Sequence, residues 1–322
     1  MDQVWSNYKE ALDEVEEQIK KGLDSEVPLI NKVAYHILNS GGKRIRPLLL
    51  IISAQLCNPV DKRHIHLAGM VEFIHTATLL HDDVLDTAEI RRGIPAARVL
   101  WGNQASILVG DYLYTLAVCQ AVKMENFEIN YLLSTTCRRM SEGETLQMVH
   151  SRDFGLTEAT YHQIIEYKTA ALLSASCRLG GIIANESEEG KEALSRYGRN
   201  LGIAFQVADD TLDYVADRAR LGKSPGKDIK EGKITLPLLH LLQSCTSKER
   251  KELKKILRKE PFLKRDFSHV IGLMEQYGSI AYARQKAQDY ANRAKNDLSV
   301  FSDSVHRRSL CAVADYVVLR DH

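Results

Sequence analysis

The sequence predicts an all-α protein, a single large helical bundle, and three observations carry that reading. Residues such as Leu67, Val71, Ile74 and Thr78 recur at helical spacing through most of the chain, and sustained strand-like alternation is missing. The seven prolines (Pro28, Pro47, Pro59, Pro95, Pro225, Pro237 and Pro261) fall in expected loops or at helix starts, where a missing N–H does no harm.

Taken in order, the first expected helix is 3–22, acidic and amphipathic, without the basic start of a signal peptide or the Arg-rich composition of a transit peptide. Pro28 introduces 29–39, which Gly41 and Gly42 stop, and Pro47 opens 47–57. The pattern over 62–87 carries HDDVLD at its end; 104–123, 126–150 and 158–183 follow, and 187–217 closes on a matching ADDTLD. A lysine-rich connection, roughly 218–232, leads to 234–244, 247–258, 264–275, 278–297 and 302–319. No Ser/Gly-rich linker divides the chain, so one helical domain, 1–322, is expected. No run approaches the roughly 18 consecutive apolar residues of a membrane span.

The formal net charge is +1, which argues against a nucleic-acid footprint spread over the surface. Six cysteines are scattered singly with no C-x-x-C pair, in a chain too long to need disulfide staples, so a reduced, cytoplasmic setting is expected.

On a helix, Asp82 and Asp86 share a face, and Asp209 and Asp213 repeat the spacing. Carboxylates that close repel unless a cation lies between them, and hard oxygen ligands favour magnesium, which shares its shell with waters and substrate phosphates. The pattern predicts a diphosphate held through metal bridges. A single acidic pair would read as a solvated face, but both clusters sit in apolar patterns (Leu79, Leu80, Val84 and Leu85; Ile203, Phe205, Val207 and Leu212). Asp83 and Asp210 are rotated about a quarter turn off the face, so supporting or water-mediated roles are expected for them. His81-Asp82 also spells the H-D pair of a metal-dependent phosphohydrolase, a reading that leaves the second cluster idle.

GGKRIRP at 41–47 places Lys43, Arg44 and Arg46 beside two glycines at a helix start, a natural anion site. Arg91 and Arg92 follow the first cluster, and Lys168, Lys223 and Lys233 accompany the second, although any one of these lysines alone would read as surface. His75, on the helix of Asp82, could donate to a phosphate; a lone histidine there is more often a satisfied core or surface residue.

With GGKRIRP, LLHDDVLDTAEIRRG, FQVADDTLDY and GKSPGKDIKEGKITLPLL in that order, the chain resembles the trans-type isoprenyl diphosphate synthases from about residue 28 to its end, most of all the octaprenyl type. The resemblance implies a bundle around a deep central cavity, a homodimer, and three Mg2+ ions between facing aspartate clusters. By matching motif positions, Asp82, Asp86 and Asp209 look like metal ligands, with Asp83, Asp210 and Asp213 supporting them. Arg91, Lys168 and Lys223 look like the clamp on an allylic diphosphate, assisted by Lys233. Thr169 and Gln206 match positions near the allylic carbon. Lys43, Arg46, His75 and Arg92 look like the isopentenyl diphosphate site. The basic contact that the family makes at its C-terminus is less evident in the Leu-Arg-Asp-His ending. Ionisation, condensation and elimination follow from this layout.

In that family a bulky residue four or five positions before the first aspartate closes the cavity, and here those positions are Thr78 and Ala77. A floor one helical turn deeper, about 5.4 Å, admits roughly one further prenyl unit. The stop is therefore expected near Leu113, Leu116 or Ala117, with an octaprenyl-type product for a quinone side chain and peripheral membrane contact for its release. A geranylgeranyl or farnesyl diphosphate synthase, a class I terpene cyclase and a noncatalytic subunit of a heteromeric synthase are the competing readings.

Overall fold

The computed structural model describes residues 2–215, 226–259 and 261–319. Two helices, α1 (Asp2–Asn7) and α2 (Lys9–Gly22), replace the one expected over 3–22. Tyr8 leaves helical geometry (φ −116°, ψ 13°) to bury its ring, and its hydroxyl meets His306 Nδ1 at 2.8 Å. α3 (Pro28–Leu38) has proline in its first turn, where no N–H is missed. α4 (Ile45–Leu56) starts two residues before Pro47, because Arg44 takes the left-handed conformation (φ 47°) and puts Arg46 in the first turn. α5 (Arg63–Leu85) ends just before Asp86, whose N–H still bonds Asp82 O at 2.8 Å, so the one-turn spacing of the pair holds.

A hairpin that helical spacing could not announce follows: β1 (Ile90–Arg91) pairs antiparallel with β2 (Ile94–Pro95), Ile90 opposite Pro95. Arg92 and Gly93, at φ 51° and 83°, form its two-residue turn, both central residues left-handed as the strand twist requires. α6 (Ala97–Val122) is broken at Gly102 (φ 83°, ψ 165°), so its long limb begins close to the expected 104. α7 (Phe127–Val149) agrees with expectation. The helix expected over 158–183 is three pieces: α8 (Glu158–Ile165), a π-helical turn over Glu166–Ala170, and α9 (Ala171–Ile183). α10 (Glu188–Val215) follows, and the lysine-rich connection contains α11 (Lys227–Lys230). α12 (Leu236–Ser244), α13 (Ser247–Ile256), α14 (Lys264–Gln276), α15 (Ser279–Asp297) and α16 (Val305–Leu319) complete a fold that, among the described residues, is helical apart from the one short hairpin. Thr246 opens α13 with a capping box, its side chain accepting the Glu249 N–H while Glu249 reaches back.

Packing groups the chain into two compact units, Met1–Arg138 with Leu172–Gly198 and Asp297–Ala312, and Arg139–Ala171 with Arg199–Asn296 and Val313–His322. The first is cored by Leu48 to Ile52 of α4, with Leu67, Val71 and Phe73 of α5 and Tyr197 of α10, all buried. Gly180 lets α9 cross α4 closely, since a Cβ there would lie 2.6 Å from Ala54 N. α5 and α6 run antiparallel: His81 lies against Gly110, where a Cβ would meet its ring at 2.3 Å, while Phe73 and Gln120 both lie against Gly22. By length and composition α6 could also cross a membrane, which the count of consecutive apolar residues did not anticipate. In the second unit Leu156, Ile164, Ile203, Val207, Leu236, Leu239, Leu253, Val270 and Met274 form one buried cluster.

Candidate active site

In the first unit the GGKRIRP loop, α5 and the hairpin bring four arginines around His75. Arg44 is committed to structure, donating to Glu16 at 2.6 Å, to buried Glu72 at 2.5 Å and to Leu38 O at 2.7 Å. Arg46 Nη1 lies 3.1 Å from His75 Nε2. A guanidinium can only donate, so Nε2 accepts and the His75 proton sits on Nδ1. Burial, then the charges of Arg46, Arg92, Arg91 and Arg44, holds His75 well below its ordinary range, so it stays neutral. Burial also pushes Arg46 down to about 10, and its Nε is buried without a hydrogen-bond partner among the described residues. A buried charged donor in that state calls for an anion.

The hairpin turn carries Arg92 to the carbonyl of Gly41, and Gly42 takes a backbone conformation (φ 138°) that residues with a side chain rarely adopt, with the Arg92 guanidinium packed against it. Arg91 donates from Nε and Nη2 to Oδ1 of fully buried Asp83, at 2.9 and 2.5 Å. Asp83 is thus occupied in aiming Arg91, with Nη1 outside the pair. Asp82 and Asp86 are half-buried beside this basic group, and Asp82 is close enough for its charge to act on Arg46. Lys43 is exposed, its carbonyl accepting from Trp5 Nε1 at 3.0 Å.

In the second unit the π turn presents Lys168 and Thr169. Two glycines make room for it: a Cβ on Gly143 would lie 2.5 Å from Lys168 N, and one on Gly202 2.5 Å from Ala170 Cα. Lys168 pairs with Glu144, and Lys233 with Glu231 at 2.7 Å. Thr169 Oγ1 bonds Gln206 Oε1 at 2.7 Å, Gln206 Nε2 donates to Asp210 Oδ1 at 2.7 Å, and Tyr161 Oη donates to Asp210 Oδ2 at 2.6 Å.

Asp209 is exposed one position away. Asp213 caps α11, accepting the N–H of Asp228 at 3.0 Å and of Lys227 at 3.3 Å. Burial pushes Asp210 up to about 7 and, reinforced by neighbouring carboxylates, raises Asp213 and sends Asp228 well above the usual range. Such crowding is what a cation would relieve.

Sequence spacing therefore located the residues that gather within each unit, while Lys223 and the Arg-Asp-His end lie outside the described residues. Among the described residues no three carboxylate, histidine or cysteine side chains form a metal cage of their own. Glu72, Tyr161, Glu144, Glu231 and Asp228 were missed; Glu72, Tyr161 and Glu144 are partners supplied from another part of the fold, while Asp228 and Glu231 lie inside the GKSPGKDIKEGK motif, which carried a signal. Of the expected floor, Ala77, Leu113 and Ala117 are buried and Leu116 and Thr78 half-buried, with Thr78 Oγ1 on His75 O at 2.7 Å.

Residues 27–274 match the family described as polyprenyl synthetase. The chain is 38% identical over 310 residues to octaprenyl diphosphate synthase of Escherichia coli K12, covering 94% of each chain. Its fold is similar to that of a polyprenyl synthase from Caulobacter crescentus, solved with calcium and isoprenyl diphosphate, at a TM-score of 0.95 and 37% identity, covering 100% of this chain and 98% of that one. A decaprenyl diphosphate synthase from Rhodobacter capsulatus gives a TM-score of 0.95 at 38% identity, with 100% and 99% covered.

Proposed function

The chain belongs to the polyprenyl synthetase family and is a prenyltransferase, and from that premise we propose that it condenses isopentenyl diphosphate with an allylic diphosphate to a long, octaprenyl-type product. The observation that carries the substrate reading is the basic group around His75, above all the buried Nε of Arg46, unpartnered among the described residues. Arg46, Arg92, Lys43 and His75 bind isopentenyl diphosphate; neutral His75 braces Arg46 and keeps its Nδ1 proton for an oxygen. Arg91, aimed by Asp83, binds the allylic diphosphate together with Lys168, Lys223 and Lys233.

The aspartates fit Mg2+ by donor chemistry: Asp82, Asp86 and Asp209, with Asp213 in support while its oxygens hold the start of α11, offer hard oxygens without a complete cage, which suits an ion that draws the rest of its shell from water and phosphate. When bound, the ions, three of them in our reading, neutralise charge growing on the departing diphosphate. The chain's own cations share that task, and Thr169 and Gln206 offer oxygen lone pairs to the allylic cation. No side chain is assigned as a base; the released diphosphate takes the proton.

Product length follows from the floor. Ala77 is small and buried, and the antiparallel run of α5 against α6 sets it at the level of Leu113 to Leu116, with Phe73 one turn deeper. We read these larger side chains as the stop.

One synthase domain of two identical copies in the cytoplasm completes the proposal, with the product passing to a quinone pathway. Leu108, Val118 and Val122 of α6 and the stacked Phe127 and Tyr131 of α7 give the first unit an exposed apolar face suited to a second copy. Incubating the purified protein with labelled isopentenyl diphosphate, a set of allylic primers and Mg2+, then sizing the dephosphorylated lipids, tests reaction and length together. Hydrocarbon formed from the primer alone would point to a cyclase instead.

A further inference from the structure

Asp210, expected to support the metal, has both carboxylate oxygens bonded to protein donors, Tyr161 Oη at 2.6 Å and Gln206 Nε2 at 2.7 Å. An ionised carboxylate accepts only, so with Asp210 ionised every direction in the chain of bonds is settled. With its nitrogen on Asp210, the Gln206 amide turns its oxygen to Thr169, and Thr169 Oγ1 must be the donor in their 2.7 Å bond. Tyr161, Asp210 and Thr169 are buried, which leaves water little part in choosing these directions. Asp83, by contrast, retains one oxygen without a partner among the described residues.

We propose that Asp210, braced by Tyr161, is a positioning residue and not a metal ligand: through Gln206 it holds the Thr169 proton inward and leaves the Thr169 lone pairs for the electron-poor carbon of the allylic substrate. The role at that carbon rests on the condensation reading above; the direction of the relay rests on its hydrogen bonds alone.

Reversing the relay tests it. Asp210→Asn, with the introduced oxygen kept on the Tyr161 hydroxyl, turns an N–H toward Gln206, whose amide then flips and presents its nitrogen to Thr169, so the hydroxyl proton swings outward. The expected result is a fall in kcat of about 100-fold, the scale of losing one oriented electrostatic contact, with KM for both diphosphates and the Mg2+ dependence unchanged. Asp210→Asn with Gln206→Glu moves the charge one residue along and restores every direction, since the introduced amide and Thr169 then both donate to the introduced carboxylate; kcat should recover about tenfold or more. In a Thr169→Val background Asp210→Asn should cost nothing further.

Thermal unfolding of the single and double variants reads the relay without turnover: the second substitution should return stability lost in the first. A rise in the Mg2+ requirement of Asp210→Asn, or a double variant no better than the single in both rate and unfolding, would overturn the proposal. If the wild type does not condense the two diphosphates, the functional reading fails and the role at the carbon with it; a relay absent from unfolding while the wild type condenses overturns the relay alone.

Discussion

Asp83 and Asp210 hold the same place in their clusters and meet the same end, each buried and each accepting from a side chain that another element delivers. Their outer neighbours stay closer to the surface, so a single substitution can separate the two classes. Asp82→Ala should lower turnover by about a thousandfold or more, because the lost oxygen served leaving-group charge, while the midpoint of thermal unfolding holds or rises as carboxylate repulsion eases. Near-normal rates at saturating Mg2+ would remove Asp82 from the metal set. His75 gives a second test, in pH. Its folded value lies well below the ordinary one, so the unfolded chain binds the extra proton, and the contribution is present above about 6.5 and lost as pH falls. In the ligand-free protein His75→Gln should flatten the loss of stability between pH 7 and 5, by up to about 1.4 kcal/mol per pH unit, measured by denaturant unfolding at each pH. Much of this was legible in the sequence, since four-residue spacing within one helix needs no tertiary knowledge. The partners were not: Arg91 reaches Asp83 through a hairpin, and Tyr161 reaches Asp210 from another helix.

Elements explain why those partners arrive where they do. Helical periodicity located nearly every helix, because a buried face must repeat about every 3.6 residues. It was blind to changes of geometry within an unbroken apolar pattern: the break at Tyr8, the left-handed Gly102 and the π turn at Glu166–Ala170 leave burial continuous while turning the side chains. The π turn has the clearest consequence, since its extra residue rotates Lys168 and Thr169 relative to an α-helix. Gly143 and Gly202 are the notches that admit it. A methyl at 202 would strike the Ala170 backbone, which has no rotamer to yield. Gly202→Ala should therefore cost about 1–3 kcal/mol in unfolding and lower kcat, with KM for isopentenyl diphosphate retained. Unchanged kcat in a folded Gly202→Ala protein would show that the turn's shape is indifferent to the reaction.

At the scale of the molecule, product length depends on how far an apolar chain can extend before it meets bulk. The relevant distance is counted along α5, from Asp82 toward its N-terminus, with α6 alongside. Two contacts establish the register: His81 against Gly110 near the aspartates, and Phe73 with Gln120 against Gly22 farther down. Ala77 lies between them, buried and small, opposite the stretch that contains Leu113. A phenyl ring there would fill a full helical turn of depth, about 5.4 Å, without touching either aspartate cluster. Ala77→Phe should therefore shorten the product by about one prenyl unit or more, leave the rate of the first condensation within about threefold, and leave the Mg2+ dependence alone. Phe73→Ala should act in the opposite sense, moving the distribution to longer lipids, although loss of a buried ring costs about 3–5 kcal/mol and needs assay at low temperature. Chromatographic sizing of the dephosphorylated products checks both. A product length insensitive to Ala77→Phe, with condensation intact, would show that the growing chain takes another route through the protein, whatever the aspartates do.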